Sequence, residues 1–165
     1  MARTLELSDP GTSKSGGIPR SNRERDEPPC PAHFLSPWQP LGILPSVLDV
    51  FRDGSLYVVD APGHLPGHIN LLARVVDSDK AETRWVYLAG DACHDRRIIR
   101  KQKEIGEWHD VHGNVCCIHA DRDQAEKTIE TIRALEMQGV EVIFAHDVEF
   151  ENDPRNKCRF FGALP

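Results

Sequence analysis

The stretch that decides the reading is Asp60-Ala61-Pro62-Gly63-His64-Leu65-Pro66-Gly67-His68. It follows the apolar run 56–59, so the chain leaves a strand and enters a segment punctuated by two Pro-Gly pairs. Proline fixes φ and lacks an N–H, and glycine admits positive φ, so the segment is a rigid loop and not part of a ladder. Upstream, residues 47–51 and 55–59 flank Asp53-Gly54, a two-residue hairpin signal. Downstream, residues 69–76 read as the next strand, 77–82 as a polar turn, and 84–89 as a further strand ending at Gly90-Asp91.

Beyond Asp91 the pattern changes. Residues 95–104 hold Ile98 and Ile99 among basic residues and predict a short helix. Residues 107–119 are histidine-rich and irregular. Ala125, Ile129, Ile132 and Leu135 then recur at spacings of four and three, which predicts a helix over 122–138 with one apolar stripe. Asp121 suits its N-cap and Gly139 its stop. Residues 140–145 form a short apolar strand that runs out into His146-Asp147. The order of hairpin, strand, strand, helix and strand gives an α/β layer, a mixed sheet with helices on one face.

Composition bounds the remaining classes. The 165 residues carry 20 Lys plus Arg against 26 Asp plus Glu, a net charge of −6. That excess of acid speaks against a nucleic-acid partner, which needs a cationic surface. No apolar run reaches the roughly 20 residues that span a bilayer, so no membrane partner is expected. Five cysteines without framework spacing and a start with no apolar leader read as reduced thiols in a cytoplasmic protein. Residues 1–37 are rich in Pro, Gly, Ser and charge and are expected to be disordered. Residues 38–150 form the domain, and 151–165 a tail.

Three strands end in a metal-ligand type of residue: His64, Asp91 and His146. Strand ends on one rim of a sheet can converge, and a His-Asp-His set suits a borderline metal such as zinc. Taken singly, each is equally an ordinary turn or a hydrogen-bonded polar residue. His94, three residues after Asp91, either lines the pocket or supports it from behind or from the surface. His109, His112 and His119 read as loop decoration, and Cys93 as a small buried thiol. Arg96, Arg97, Arg100, Lys101 and Lys103 form a basic run, read as a solvated helix face or a guide for an anionic substrate.

The segment Ala61 to His68 resembles the T-P-G-H-T-x-G-H signature of the metallo-β-lactamase superfamily, as in glyoxalase II and acyl-homoserine lactonases. Leu88-Ala89-Gly90-Asp91 resembles that family's later G-D motif, and Phe144-Ala145-His146-Asp147 its last ligand strand, G-H-D in lactonase-like members. The resemblance implies the C-terminal half of an αββα sandwich. It makes His64 a ligand of a first zinc, Asp91 the catalytic bridge between two, His146 a ligand of the second, and His68 a residue that braces the loop. In the complete family site a hydroxide held by two zinc ions attacks a lactone or ester carbonyl; a thioester substrate is the neighbouring option.

The family's first motif, H-x-H-x-D-H, has no counterpart. The residues ahead of His64 hold one histidine, His33, and no H-x-H pair occurs in the chain. Three ligands split between two metals fall short of the three protein ligands a catalytic zinc normally has. Partial zinc occupancy, a truncated and impaired hydrolase, and self-association through an uncovered sheet face are therefore expected. The alternative is a non-catalytic remnant or interaction module that keeps half the fold.

Overall fold

The computed structural model describes residues 37–77 and 82–160. The segment expected to be disordered lies, but for Pro37, outside the described residues. Among the described residues, eight strands and three helices run in the order β1 (Gln39–Leu41), β2 (Leu44–Asp49), β3 (Leu56–Asp60), β4 (Ile69–Asp77), β5 (Glu82–Gly90), α1 (Arg96–Ile99), β6 (Glu107–His109), β7 (Val115–Cys117), α2 (Arg122–Met137), β8 (Glu141–Phe144) and α3 (Val148–Asn152). A short 3-10 stretch, Pro154–Arg159, follows. Residue 151, where the sequence places the start of the tail, lies within α3, and the 3-10 stretch follows it.

Six strands form one sheet in the order β1-β2-β3-β4-β5-β8. Neighbours are antiparallel except β5 and β8, which run parallel with α2 as the crossover. The mixed sheet of the sequence reading is therefore present. Side chains alternate between faces along a strand. Val47, Val59, Leu72, Tyr87 and Ala89 point to one face, where they meet the buried stripe Ala125, Ile129, Ile132 and Leu135 of α2. Ile132 and Val47 are fully buried there. Asn70 is the polar member of this face. Its amide oxygen accepts from the Tyr87 hydroxyl at 3.0 Å and its nitrogen donates to the Ala89 carbonyl at 2.9 Å, so its burial leaves no unpaired group.

The other face carries a row in register across five strands: Leu48, Val58, Leu71, Leu88 and Ile143. Among these Leu88 remains 42% exposed. Leu48 is buried, and Val58, Leu71 and Ile143 are partly buried.

Two sequence expectations change. The β2–β3 turn is wider than two residues, because the Asp49 carboxylate accepts from the backbone N–H groups of both Arg52 and Gly54 and so holds residues 50–55 as one closed loop. Arg52 and Gly54 take the positive φ values. Residues 107–119 are not irregular: β6 and β7 pair antiparallel, with Trp108 opposite Cys116. All three β6 residues are exposed, so no apolar alternation advertised that hairpin.

The helix α2 positions the histidine loop as well as the core. Thr128 Oγ1 donates to the Pro62 carbonyl at 2.7 Å. Asp121 N and Ala120 N donate to the carbonyls of Gly63 and His64, each at 2.9 Å. Gly63 has φ +127°, and a Cβ there would lie 2.3 Å from Ala125 N and 2.4 Å from Ala125 Cα. Backbone on backbone cannot yield as a flexible side chain can, and L residues rarely adopt this φ. Gly63→Ala is therefore expected to destabilise the fold by about 3 kcal/mol, measured by urea unfolding. A loss below about 1 kcal/mol would mean that the loop is not wedged against the helix.

Candidate metal centre

Each strand-end residue arrives at the same rim by a local device. The loop after β3 closes on itself, with Ala61 N donating to the His68 carbonyl at 3.1 Å. His68 Nδ1 lies 3.1 Å from the Ala61 carbonyl; the carbonyl only accepts, so this nitrogen carries the proton. The same ring packs over Gly90, where an added Cβ would sit 3.3 Å from its Nε2. His68 therefore ties the end of β3 to the end of β5. Gly90, at φ +50°, turns the chain and presents Asp91. Ala145 N donates to the Gly90 carbonyl at 2.9 Å, which brings the end of β8 and His146 alongside.

His64, Asp91 and His94 each bring one ligand atom within 4.8 Å of the others. His146 Nε2 lies 3.1 Å from Asp91 Oδ1 and His94 Nε2 lies 3.5 Å from the same oxygen. The rings of His94 and His146 stack at 5.2 Å with a 21° interplanar angle. His64 sits 5.3 Å from His94, 5.4 Å from His119 and 5.5 Å from His68, centroid to centroid. Of the sequence-predicted residues, His64, Asp91 and His146 thus gather around one carboxylate, with His94 between them and His68 behind the loop.

His119 was missed. It is 3% exposed, not a loop decoration, and its ring lies 5.5 Å from His94. The only sequence signal is its place two residues ahead of the N-cap Asp121, whose backbone bonds to the Gly63 carbonyl. His109 and His112 are exposed on the β6–β7 hairpin and stay away from the cluster. Cys93 is fully buried, and burial raises its thiol pKa, which fits an inert packing residue.

Electrostatics divides the cluster. Burial, followed by the positive potential of His94, His64 and His68, lowers the His119 pKa to about 4. Burial also lowers that of His94, while Asp91 opposes the shift. The Nδ1 atoms of His64, His94 and His119 are buried without a hydrogen-bond partner. A buried polar atom left unpaired costs about 1–3 kcal/mol, and His64, Asp91 and His94 bring their ligand atoms together, a donor set that suits a cation. Neutral imidazole and carboxylate are the ligands that zinc and its first-row neighbours take. The residues present therefore fit a divalent metal.

The basic run is not a free cationic face. Arg96 donates to Asp147 at 2.8 Å, to Glu136 at 2.6 Å and to the Val142 carbonyl at 2.6 Å. Arg97 and Lys103 pair with Asp95, Arg100 with Glu149 and Lys101 with Glu130. The Arg96–Asp147 pair clamps the segment carrying His94 to the segment carrying His146. Between these segments lies a cavity of about 330 Å³ lined by His94, Arg97, Phe144 and His146. A larger, shallower depression of about 1050 Å³ lies beside α2, lined by salt-bridged Lys101, Arg122 and Glu130, away from the histidines.

No family model matches the chain. It is similar to a cytochrome P450 monooxygenase, mpaDE, of Penicillium roqueforti, 34% identical over 113 residues, covering 61% of this chain and 13% of that protein. It is similar to metallo-hydrolase mfmC of Annulohypoxylon moriforme, 43% identical over 53 residues, covering 32% of this chain and 13% of that protein. The chain thus spans about 13% of the length of these curated relatives. Among solved structures, an N-acyl homoserine lactone hydrolase with N-hexanoyl-L-homoserine at its catalytic metal center overlaps 59% of this chain and 33% of its own, at 19% identity and a TM-score of 0.42. A B. thuringiensis structure with N-decanoyl-L-homoserine bound gives the same values. The similarity to a metallo-hydrolase accords with the resemblance that the three motifs carry.

The His119 shift carries a pH dependence. A histidine whose folded pKa is depressed stays neutral in the fold while the unfolded chain takes up the proton. Stability is full above about pH 6.5 and falls as pH drops toward about 4, by roughly 3 kcal/mol for metal-free protein. His119→Leu is expected to flatten that part of the profile in urea titrations at stepped pH. An unchanged slope would assign the loss to other groups.

Proposed function

We propose that this chain, over residues 38–150, is part of a metal-dependent hydrolase of the metallo-β-lactamase type that acts on a lactone or ester, with zinc as the metal. The single observation that carries the reading is the gathering of His64 and His146 around the Asp91 carboxylate, at 4.8 Å or less and at 3.1 Å. In this reading His64, Asp91 and His146 are the ligands, and Asp91 is the one shared between neighbouring positions. A bound zinc supplies Lewis acidity, which acidifies a water and stabilises charge on a carbonyl oxygen.

The chain's own residues supply the rest. Asp91 is 40% exposed along its side chain, and its neighbours His94 and His146 line the cavity. His68 holds the loop that sets the His64 ring, and the Arg96–Asp147 clamp holds the two cavity walls together. The cavity of about 330 Å³ has room for a small acyl compound. Its Arg97 side chain, shared with Asp95, offers a hydrogen-bond donor near the mouth.

The absence of any H-x-H pair in the chain supports impaired turnover in the chain as it stands; the second reading is a non-catalytic remnant or interaction module that keeps half the fold. Zinc-loaded protein assayed on a simple lactone and a p-nitrophenyl ester separates the two. Slow turnover that needs zinc and falls at least 100-fold in Asp91→Ala is the expected result. Turnover that survives both chelator and Asp91→Ala overturns the assignment, and metal binding without turnover establishes the module.

Two further features belong to this reading. The free thiols Cys93, Cys116, Cys117 and Cys158 support a cytoplasmic setting, and no described helix is long and apolar enough to cross a membrane. The exposed Leu88, with the partly buried Val58, Leu71 and Ile143 beside it, supports self-association of a second copy on that face. Sedimentation velocity should show a species larger than one chain, shifted to monomer by Leu88→Lys; a monomer that is concentration-independent in both forms would remove this partner.

A further inference from the structure

We propose that His94 is a metal ligand, so that His64, Asp91 and His94 form one three-donor site for a single divalent cation. The inference rests on the metal-hydrolase reading and changes its ligand arithmetic. With only the three strand-end residues, neither position reaches the three protein ligands a catalytic zinc normally has. With His94, one position does.

His64, Asp91 and His94 are the described residues whose ligand atoms all lie within 4.8 Å of one another. A four-coordinate ion with bonds near 2 Å needs donors about 3.3 Å apart, which small side-chain rotations supply. His94 Nε2 is already 3.5 Å from Asp91 Oδ1. The ring of His94 is held from both sides, stacked on His146 at 5.2 Å and set against His64 at 5.3 Å. The Nδ1 atoms of His64 and His94 are both buried and unpartnered.

The local sequence explains the placement. Asp91 and His94 are three residues apart across the tight turn Ala92-Cys93, where Ala92 N donates to the Ala89 carbonyl at 3.0 Å and both side chains are buried. Asp95 then caps α1, its carboxylate accepting from Arg97 N at 2.9 Å. The backbone on both sides of His94 is thereby fixed. His146 faces the same Asp91 oxygen from the outside with a 63% exposed side chain. A second cation there would have Asp91 and His146 as its protein donors, too few for tight binding.

The test is metal titration of the full chain, with zinc by calorimetry and with cobalt(II) by its visible absorption. Wild type should bind one equivalent tightly and give a four- or five-coordinate cobalt spectrum. His94→Gln, close in size and neutral, should weaken that equivalent at least 100-fold and bleach the spectrum, whereas His112→Ala, on the exposed β6–β7 hairpin, should retain it. The melting temperature of metal-free His94→Gln, unchanged from wild type, separates loss of a ligand from loss of the fold. If His94→Gln binds like wild type while His64→Ala and Asp91→Ala do not, His94 is no ligand and the hydrolase reading stands. If wild type binds no metal tightly, the hydrolase reading falls with it.

Discussion

The contact on which the rest depends is backbone against backbone, where Gly63 meets the first turn of α2 at Ala125. No side chain mediates it, so it tolerates no slack. The helix is registered on the sheet by its stripe of Ala125, Ile129, Ile132 and Leu135. The loop is registered on the helix by Gly63, Pro62 and His64 through their carbonyls. Burial of the core and the position of the His64 ring are thus one event. Dispersion and area terms drive the packing, but the glycine decides where the imidazole ends up.

The rim is assembled by the same logic from the other side. Parallel pairing of β5 and β8 places Gly90 opposite Phe144, so Asp91 and His146 emerge next to each other. Arg96 then fastens the two exits. Its partner Asp147 has a side chain only 2% exposed, and a buried carboxylate requires such a partner because desolvation of a lone charge is costly. Arg96 also lies over the Phe144 ring at 5.5 Å, adding a cation–π contact. The result is a preorganised rim in which imidazoles from three strand exits face one carboxylate. Preorganisation matters for metal affinity because rotamer freedom is lost before the ion arrives.

Much of this was legible in the sequence, and the reasons are local. Gly and Pro at 62–67 forced a loop, and the 3.6-residue stripe of α2 with Asp121 and Gly139 forced a helix with both ends marked; Asp121 does accept from Gln124 N at 3.0 Å. The strand exits at His64, Asp91 and His146 followed from apolar runs that stop at polar residues. What escaped the reading was tertiary. His119 has no periodic signal, and its neighbours Ala120 and Asp121 bond to His64 and Gly63 of a loop far back along the chain. The β6–β7 hairpin is exposed on its first strand, so hydrophobic alternation was absent. The basic run read as a solvated helix face or a guide for an anionic substrate because most of its carboxylate partners, Glu130, Glu136, Asp147 and Glu149, lie far along the chain.

The central claim is that strand-end imidazoles and the Asp91 carboxylate hold one divalent ion. X-ray absorption at the zinc edge of the loaded protein tests it most directly, since it counts ligand types around the ion. The account predicts a shell of nitrogen and oxygen near 2.0–2.1 Å, with the multiple-scattering pattern of two imidazoles. A shell of oxygen alone, or one containing sulfur near 2.3 Å from a cysteine, would contradict it.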